Sequence, residues 1–338
     1  MRVCHYANHD LDRIDPLLIG GIKPSIRHQR KALDQAGIDY TTDLDEEYDI
    51  LHLNTHDPFS FRAFLQARRE GTPVIHHCHT TAETVKDGVI FSNTVMAPLT
   101  RLYISYVYSR ADAVVPVSDH ARKQLRDQGI DTDMYVVSNG VDPDELDGYS
   151  SMEDQVHSSF DVDGETVVTL GSVYERKGVR EFIEVGRQFP DTSFYWFGSK
   201  NRLLTHPRVH RWIRDAPDNV HFPGFIEDKR KAFALGDIFF PSHAESQGLA
   251  LLEAMYCEMP IVCRDLPAYR GWLEDGDNCR KARRIEGFAN HISELLDDEE
   301  ARTQLADSAA ATAQDHTLDR IGEDLHKVYR HVAPETGG

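Results

Sequence analysis

Two glutamates stand in one short stretch with a spacing that suits the binding of hydroxyl-rich groups. Glu245 and Glu253 are separated by seven residues, with Gly248 between them. Residues 236–240 predict a strand and residues 248–257 predict a helix, so the stretch is a strand, a tight turn and a helix start. Carboxylates accept charge-assisted hydrogen bonds from hydroxyl groups. Because Glu253 lies about two helical turns beyond Glu245, one carboxylate can face a sugar and the other a ribose.

The turn that opens this helix is a candidate anion site. The first amides of a helix have no internal partner and lie at the positive end of its dipole, which suits a diphosphate. A second glycine turn, Gly20 and Gly21, precedes a helix predicted over residues 25–36 and lets the backbone approach a ligand. It is equally compatible with an ordinary turn. No G-x-G-x-x-G run follows the first strand, which argues against a nicotinamide enzyme.

Three histidines and a cysteine occupy four successive positions at the end of the strand predicted over residues 73–76. They are His76, His77, Cys78 and His79. Consecutive strand residues point to opposite faces, so these four side chains cannot converge on one ion, and we expect no metal site. The carboxyl end of a parallel strand opens into the crevice where ligands bind. His79 is the best placed of the four to project there.

Two cations follow the first strand of the second half of the chain. Arg176 and Lys177 stand after the strand predicted over residues 166–170 and directly before Gly178. At that strand end they can neutralise a leaving diphosphate. The alternative is that both are solvated loop charges.

Short apolar runs alternate with amphipathic segments along the whole chain, which predicts parallel α/β sheets. The predicted strands are residues 2–6, 50–53, 73–76, 113–117 and 134–137 in a first series, and 166–170, 194–197, 220–222, 238–240 and 261–263 in a second. Residues 142–164, rich in Asp, Ser and Gly, predict a linker between the two series. Two doubly wound, Rossmann-like domains with a cleft between them follow. We place them at residues 1–150 and 151–318, with residues 319–338 forming a helix that crosses back to the first domain.

Composition narrows the class of protein. The 338 residues carry a net charge of −19, which argues against a nucleic-acid surface. The excess acid indicates either adaptation to concentrated salt or an ordinary acidic surface. The five cysteines show no C-x-x-C spacing, so neither a disulfide framework nor a zinc knuckle is expected. No run approaches a membrane span and no signal-peptide core opens the chain, so we expect a cytoplasmic protein.

Charge is uneven along the chain. Residues 60–130 contain nine Lys or Arg against six Asp or Glu, a local balance of +3 in an acidic protein. We expect this region to be a membrane-facing surface.

These motifs together resemble the GT-B retaining glycosyltransferases of family 4. The resemblance covers nearly the whole chain and is carried most specifically by Glu245 and Glu253 after Pro241-Ser242. It is also carried by Gly20-Gly21-Ile22, His79-Thr80-Thr81, Val137-Ser138-Asn139-Gly140-Val141-Asp142, Arg176-Lys177-Gly178 and Pro223-Gly224-Phe225. Within the family, residues 79–112 and 264–279 are most similar to the 1,2-diacylglycerol 3-glucosyltransferases. Many members carry glycine where this chain has Glu258, so we expect a weaker helix end there.

The resemblance implies metal-independent transfer of a hexose, glucose from UDP-glucose by preference, to a lipid alcohol with retained configuration. It implies that Glu245 binds the donor sugar and Glu253 the ribose, that Arg176 and Lys177 stabilise the leaving group, and that His79 faces sugar and acceptor. It further assigns the diphosphate to the amides of Ser246, Gln247, Gly248 and Leu249, donor contact to Gly20 and Gly21, and a position in the cleft between the domains to Asn139 and Gly140. No cofactor is expected.

Two other functions stay open. One is a family 4 transferase that acts on a polyprenyl-linked or soluble glycan. The other is a catalytically silent GT-B subunit that only binds a nucleotide sugar or a partner.

Overall fold

The structure, a computed structural model, describes residues 1–8, 22–79, 81, 95, 97–200, 205–242 and 247–333. By its internal contacts the chain divides into two units. The first takes the described residues up to Gly140 together with those from His316 onward, and the second takes Val141–Asp315. Each unit is built on a parallel sheet of its own.

The first unit holds a five-stranded parallel sheet of order β2-β1-β3-β4-β5. Its strands are β1 (Val3–Tyr6), β2 (Tyr40–Thr41), β3 (Ile50–Leu53), β4 (Val74–Cys78) and β5 (Ala113–Pro116). The helices between them are α1 (Ile22–Gln35), α2 (Pro58–Glu70), α3 (Ala97–Tyr108) and α4 (Asp119–Asp127). All residues of β1, β3, β4 and β5 are buried, as expected for strands with both faces covered.

The fifth strand of the first series was expected over residues 134–137, and this prediction is wrong. Only one bridge forms there, between Val114 and Met134, although the amides of Tyr135 and Val137 donate to carbonyls of β5. The next ladder bond would need an N–H from Pro116, and proline has none. The segment therefore follows the edge of β5 without becoming a strand.

The second unit holds a four-stranded parallel sheet of order β8-β7-β6-β9 and a parallel pair, β10-β11. Its strands are β6 (Thr166–Leu170), β7 (Ser193–Phe197), β8 (Val220–Gly224), β9 (Ile238–Phe239), β10 (Val262–Arg264) and β11 (Arg280–Ala282). Its helices are α5 (Glu153–Phe160), α6 (Val179–Gly186), α7 (Pro207–Arg214), α8 (Arg230–Leu235), α9 (Leu249–Tyr256), α10 (Ile285–Asp297) and α11 (Glu299–Ala313). A single bridge between Phe239 and Ile261 connects β9 to the segment that leads into β10.

The linker expected over residues 142–164 is instead part of the second unit. It contains a 3-10 turn at Pro143–Glu145, another at Ser150–Met152, and α5. Leu146 and Val156 are buried in the same apolar core as β6 and α9. These apolar side chains outweigh the polar composition of the segment, because their burial drives it onto the sheet.

The helix expected over residues 319–338 corresponds to α12 (Leu318–Val332), which follows α11 and packs against α1 in the first unit. Leu318, Ile321 and Leu325 are buried with residues of β1, β3 and β4. A side chain at Gly322 would lie 2.6 Å from the carbonyl oxygen of Ala32, so glycine permits the close approach of the two helices.

The carboxyl end of β6 is shaped by a second close approach. A Cβ atom built on Gly198, directly after β7, would lie 1.8 Å from the carbonyl oxygen of Gly171, directly after β6. The indole Nε1 of Trp196 donates to that same carbonyl at 2.8 Å. Two neighbouring strands therefore leave the sheet in contact, and no side chain fits between their backbones.

Gly198→Ala is expected to reduce the free energy of unfolding by about 3 kcal/mol, because a backbone segment must move to admit the methyl group. Chemical denaturation measures this loss. Gly164→Ala is the matched control, since the nearest atom to its Cβ lies 3.9 Å away. Equal unfolding midpoints for the two variants would contradict the prediction.

Candidate active site

The loop after β6 carries the two cations that sequence analysis singled out. Gly171 begins the loop with φ of +148°, in the region that favours glycine, and a Cβ there would lie 3.7 Å from the Nζ atom of Lys177. A 3-10 turn at Glu175–Lys177 brings the lysine back against the strand end. Lys177 is buried and Arg176 is half-buried. Neither Lys177 nor Arg176 is therefore a fully solvated loop charge.

Burial lowers the pKa of Lys177 well below its usual value, and the nearby Arg176 lowers it further. An ammonium group in this place has lost most of its hydration, so an incoming anion would gain more from it than from a lysine in water. Lys177 is therefore a candidate to bind a phosphate group among the cations that the structure describes in the second unit.

The loop is fixed to the segment after β9 by a glycine without room for a side chain. Gly178 has φ of +78°, and a Cβ there would lie 2.5 Å from the carbonyl oxygen of Ser242. The Ser242 hydroxyl donates to the Gly178 carbonyl at 2.9 Å. Arg264 in turn donates to the Ser242 carbonyl at 3.0 Å and forms an ion pair with Glu181 at 2.7 Å. These contacts place Lys177 close in space to the start of the segment that leads to α9.

The start of α9 is as expected from the sequence. Gln247 and Gly248 are buried, Leu249 is half-buried, and the helix begins at Leu249 with Gly248 as its N-cap. Glycine has no side chain to accept from the first amides of the helix, so these donors suit an anion. Glu253 lies in the same helix and is buried; its carboxylate bonds to Lys229 at 2.7 Å. The predicted residues Glu245, Ser246, Gly20 and Gly21 lie outside the described residues.

The first unit brings three other predicted residues into one cluster. His79 follows β4, half-buried, with Nε2 3.3 Å from Asn54 Oδ1 and Nδ1 3.5 Å from Ser25 Oγ. The Ser25 hydroxyl donates to Asn139 Oδ1 at 2.8 Å. The carbonyl of the next residue, Gly140, accepts from His28 at 2.6 Å.

His79 is held in its neutral form. Burial lowers its pKa far below the usual value, with further lowering by His56 and His5. Its ring stacks on His77 with centroids 4.3 Å apart. Asn54 Oδ1 can only accept a hydrogen bond, so Nε2 of the neutral ring carries the proton and donates to it at 3.3 Å, which leaves the lone pair on Nδ1. His79 contributes no positive charge at neutral pH.

Solved structures show which class of fold this is. HepE from Anabaena, in complex with UDP-glucose, aligns with a TM-score of 0.73 and 18% identity over 89% of this chain and 88% of its own. WaaG, a glycosyltransferase of lipopolysaccharide biosynthesis, aligns with a TM-score of 0.65 and 15% identity over 94% and 96%. The fold is GT-B, the two-sheet class of glycosyltransferase, as the sequence predicted.

Sequence relationships identify the family. The model of glycosyltransferase family 4 matches residues 24–145, and that of glycosyl transferases group 1 matches residues 151–312. The processive diacylglycerol alpha-glucosyltransferase of Acholeplasma laidlawii is 30% identical over 92% of this chain and 94% of its own. The alpha-galactosylglucosyldiacylglycerol synthase of Streptococcus pneumoniae is 27% identical over 75% and 71%. This chain belongs to the group 1 glycosyltransferases of family 4.

The buried Lys177 gives the stability of the fold a pH dependence of definite sign. Its pKa in the folded chain is below 10.5, so between that lowered pKa and 10.5 the unfolded chain binds a proton that the folded chain does not. The contribution of this site to stability therefore rises with pH through that window. We expect the free energy of unfolding of the wild type, relative to Lys177→Met, to grow as the pH is raised from neutral. Lys123→Met, which removes an exposed lysine paired with Asp127, is the control. A flat difference for Lys177→Met would refute the assignment.

Proposed function

We propose that the protein transfers a hexose, glucose by preference, from UDP-glucose to the hydroxyl group of a diacylglycerol-type lipid with retention of configuration. The observation that carries this proposal is the 30% identity over 92% of the chain to a diacylglycerol glucosyltransferase, with 94% of that relative covered. HepE, which shares the fold, binds UDP-glucose in its crystal structure, and this supports a UDP-sugar donor.

Groups of the second unit would serve such a transfer. The acceptor oxygen forms a bond to the anomeric carbon while the bond from that carbon to the phosphate oxygen breaks. The electron pair of the broken bond stays on the diphosphate, which takes up the proton of the acceptor hydroxyl. Lys177, Arg176 and the amides at the start of α9 would stabilise that charge. Glu245 would hold the sugar and Glu253 the ribose. In the first unit, neutral His79 would face the acceptor, as the family resemblance implies. All of these groups are protein groups, so we propose that no metal is required.

Transfer should be detected by mass spectrometry after incubation with a membrane-lipid extract and UDP-glucose, UDP-galactose, UDP-N-acetylglucosamine or GDP-mannose. The reaction is run with and without EDTA, and in low and high salt because the acidic composition suggests salt adaptation. A hexosyl lipid from one donor, formed also in EDTA, is expected. Consumption of donor without a lipid product would point to a polyprenyl-linked or soluble glycan acceptor. No consumption would indicate a silent binding subunit.

Glu245→Ala should reduce product formation to background while the unfolding midpoint stays within error of the wild type, because the residue lies in a predicted ligand loop rather than in a core strand. Circular dichroism and the product assay are made on the same preparation. Normal turnover by a folded variant would refute the role of Glu245.

We further propose a cytoplasmic protein that contacts the membrane through an apolar face of α3. Among the described residues, no helix is long and apolar enough to cross a bilayer. Leu99, Leu102 and Tyr106 are 60%, 69% and 42% exposed, which is unusual for large apolar side chains on one helix face. The guanidinium of Arg110 lies 4.2 Å from the Tyr106 ring centroid and adds a cation beside this face. Such a face fits an anionic lipid surface.

The basic residues of the same region are weaker candidates. Arg68, Arg122 and Lys123 pair with Asp112, Asp119 and Asp127 at 2.9, 2.6 and 2.8 Å. The balance of +3 over residues 60–130 already counts these acids, and the ion pairs hold the three basic side chains against the protein's own surface. The apolar face of α3 therefore supports membrane contact better than the basic side chains do.

Changing Leu99, Leu102 and Tyr106 together to Ser should lower partitioning onto anionic vesicles by about tenfold or more, because each buried apolar side chain contributes roughly 1 kcal/mol or more to insertion. Co-sedimentation at low salt measures this. Changing Arg68, Arg122 and Lys123 to Ser is the comparison and should have a smaller effect. Equal binding by the wild type and the α3 variant would exclude this face.

A further inference from the structure

Three charged side chains of the second unit meet at one ammonium group. The Nζ atom of Lys229 lies 2.7 Å from Oε1 of Glu253 and 2.7 Å from Oε2 of Glu145. The three residues come from different elements. Lys229 directly precedes α8, Glu145 ends the 3-10 turn Pro143–Glu145, and Glu253 lies in α9.

The carboxylate of Glu253 depends on this lysine. Its side chain is only 5% exposed, against 20% for Lys229 and 25% for Glu145. A carboxylate so far from water is costly unless a cation and hydrogen bonds replace its hydration. Lys229 supplies a full charge at hydrogen-bond distance, so removing it would leave a buried anion without this partner.

Lys229 itself remains charged. Burial lowers the pKa of its ammonium group, but Glu253 and Glu145 raise it by more, and the pKa ends above its usual value. Two carboxylates share one ammonium, so the cluster keeps a net negative charge. Glu145 holds Lys229 from a second element, which restrains the lysine while it binds Glu253.

We propose that Lys229 is a positioning residue, anchored by Glu145, that sets the orientation of the Glu253 carboxylate for the ribose hydroxyls of the nucleotide donor. This inference rests on the proposed function, in which Glu253 binds the ribose. Oε1 is fixed by the ammonium group, so rotation of the carboxylate is restrained before the nucleotide arrives. Without Lys229, Glu253 and Glu145 would repel each other, and the carboxylate would leave this orientation.

The test compares the binding of UDP with that of 2′,3′-dideoxy-UDP by calorimetry, since only UDP has ribose hydroxyls. The wild type should prefer UDP by about 30-fold, because hydrogen bonds to an ionised carboxylate are stronger than those between neutral groups. Lys229→Met should lower this ratio to about threefold by weakening UDP alone. In turnover it should raise the donor KM more than it lowers kcat. Lys229→Arg should keep most of the preference for UDP, because an arginine side chain can also bridge two carboxylates.

Arg302→Met is the matched control, because it removes an ion pair of the same unit, with Glu165, at the opposite, amino end of β6. It should leave the ratio unchanged. Glu145→Gln keeps Lys229 and Glu253 and should give an intermediate ratio, so it tests the inference even if Lys229→Met does not fold.

An unchanged ratio in folded Lys229→Met, or in Glu145→Gln if that variant alone folds, would overturn the inference and leave the proposed function intact. A wild type that binds UDP without preferring it over the dideoxy analogue would overturn the inference, because Glu253 would then not bond the ribose hydroxyls. A wild type that binds neither nucleotide and transfers no sugar would overturn the proposed function and the inference with it.

Discussion

At the carboxyl end of β6, backbone segments are in direct contact at glycines, with no side chain between them. This contact determines the geometry of the candidate site in the second unit. Gly171 and Gly198 are in contact where two neighbouring strands end. Gly178, a few residues after Gly171, is in contact with Ser242. The first contact sets where the loop leaves the sheet, and the second sets where it turns back. Lys177 lies between these two fixed points, so its ammonium group is positioned by main-chain packing. Such positioning costs little side-chain entropy when a ligand binds.

Two lysines of this unit, one half-buried and one buried, show how the surroundings determine the pKa of an amine. Lys229 faces two carboxylates, and its pKa is raised. The pKa of Lys177 is lowered by burial and by the nearby Arg176. Carboxylates of the fold balance the charge of the first lysine, whereas burial disfavours the charged form of the second. In the function proposed above, the second lysine would meet the diphosphate and the first would support a binding residue.

The sequence predicted those features that depend on local pattern. Nine of ten expected strands form, and Arg176, Lys177 and Glu253 lie on the elements assigned to them. The strand expected over residues 134–137 fails because of one proline in the neighbouring strand, and the expected linker folds because of its buried Leu146 and Val156. The sequence did not predict the ion pairs of Lys229, because its partners are 84 and 24 residues away in the chain. Glu258, where the sequence predicted a weaker helix end, has φ of +52°, the left-handed conformation that glycine adopts most easily.

The position of α12 has a consequence for the order in which the molecule can be assembled. Leu318, Ile321, Leu325 and Tyr329 complete the core of the first unit, and the Tyr329 hydroxyl lies 2.7 Å from His52 Nδ1. A ribosome makes these residues only after residues 141–315 of the second unit. The sheet face of the first unit that carries His52 therefore lacks its covering helix until α12 has been made, when residues 141–315 are already present. Domains usually fold in the order of translation; here the earlier unit must wait for a helix that follows the later one.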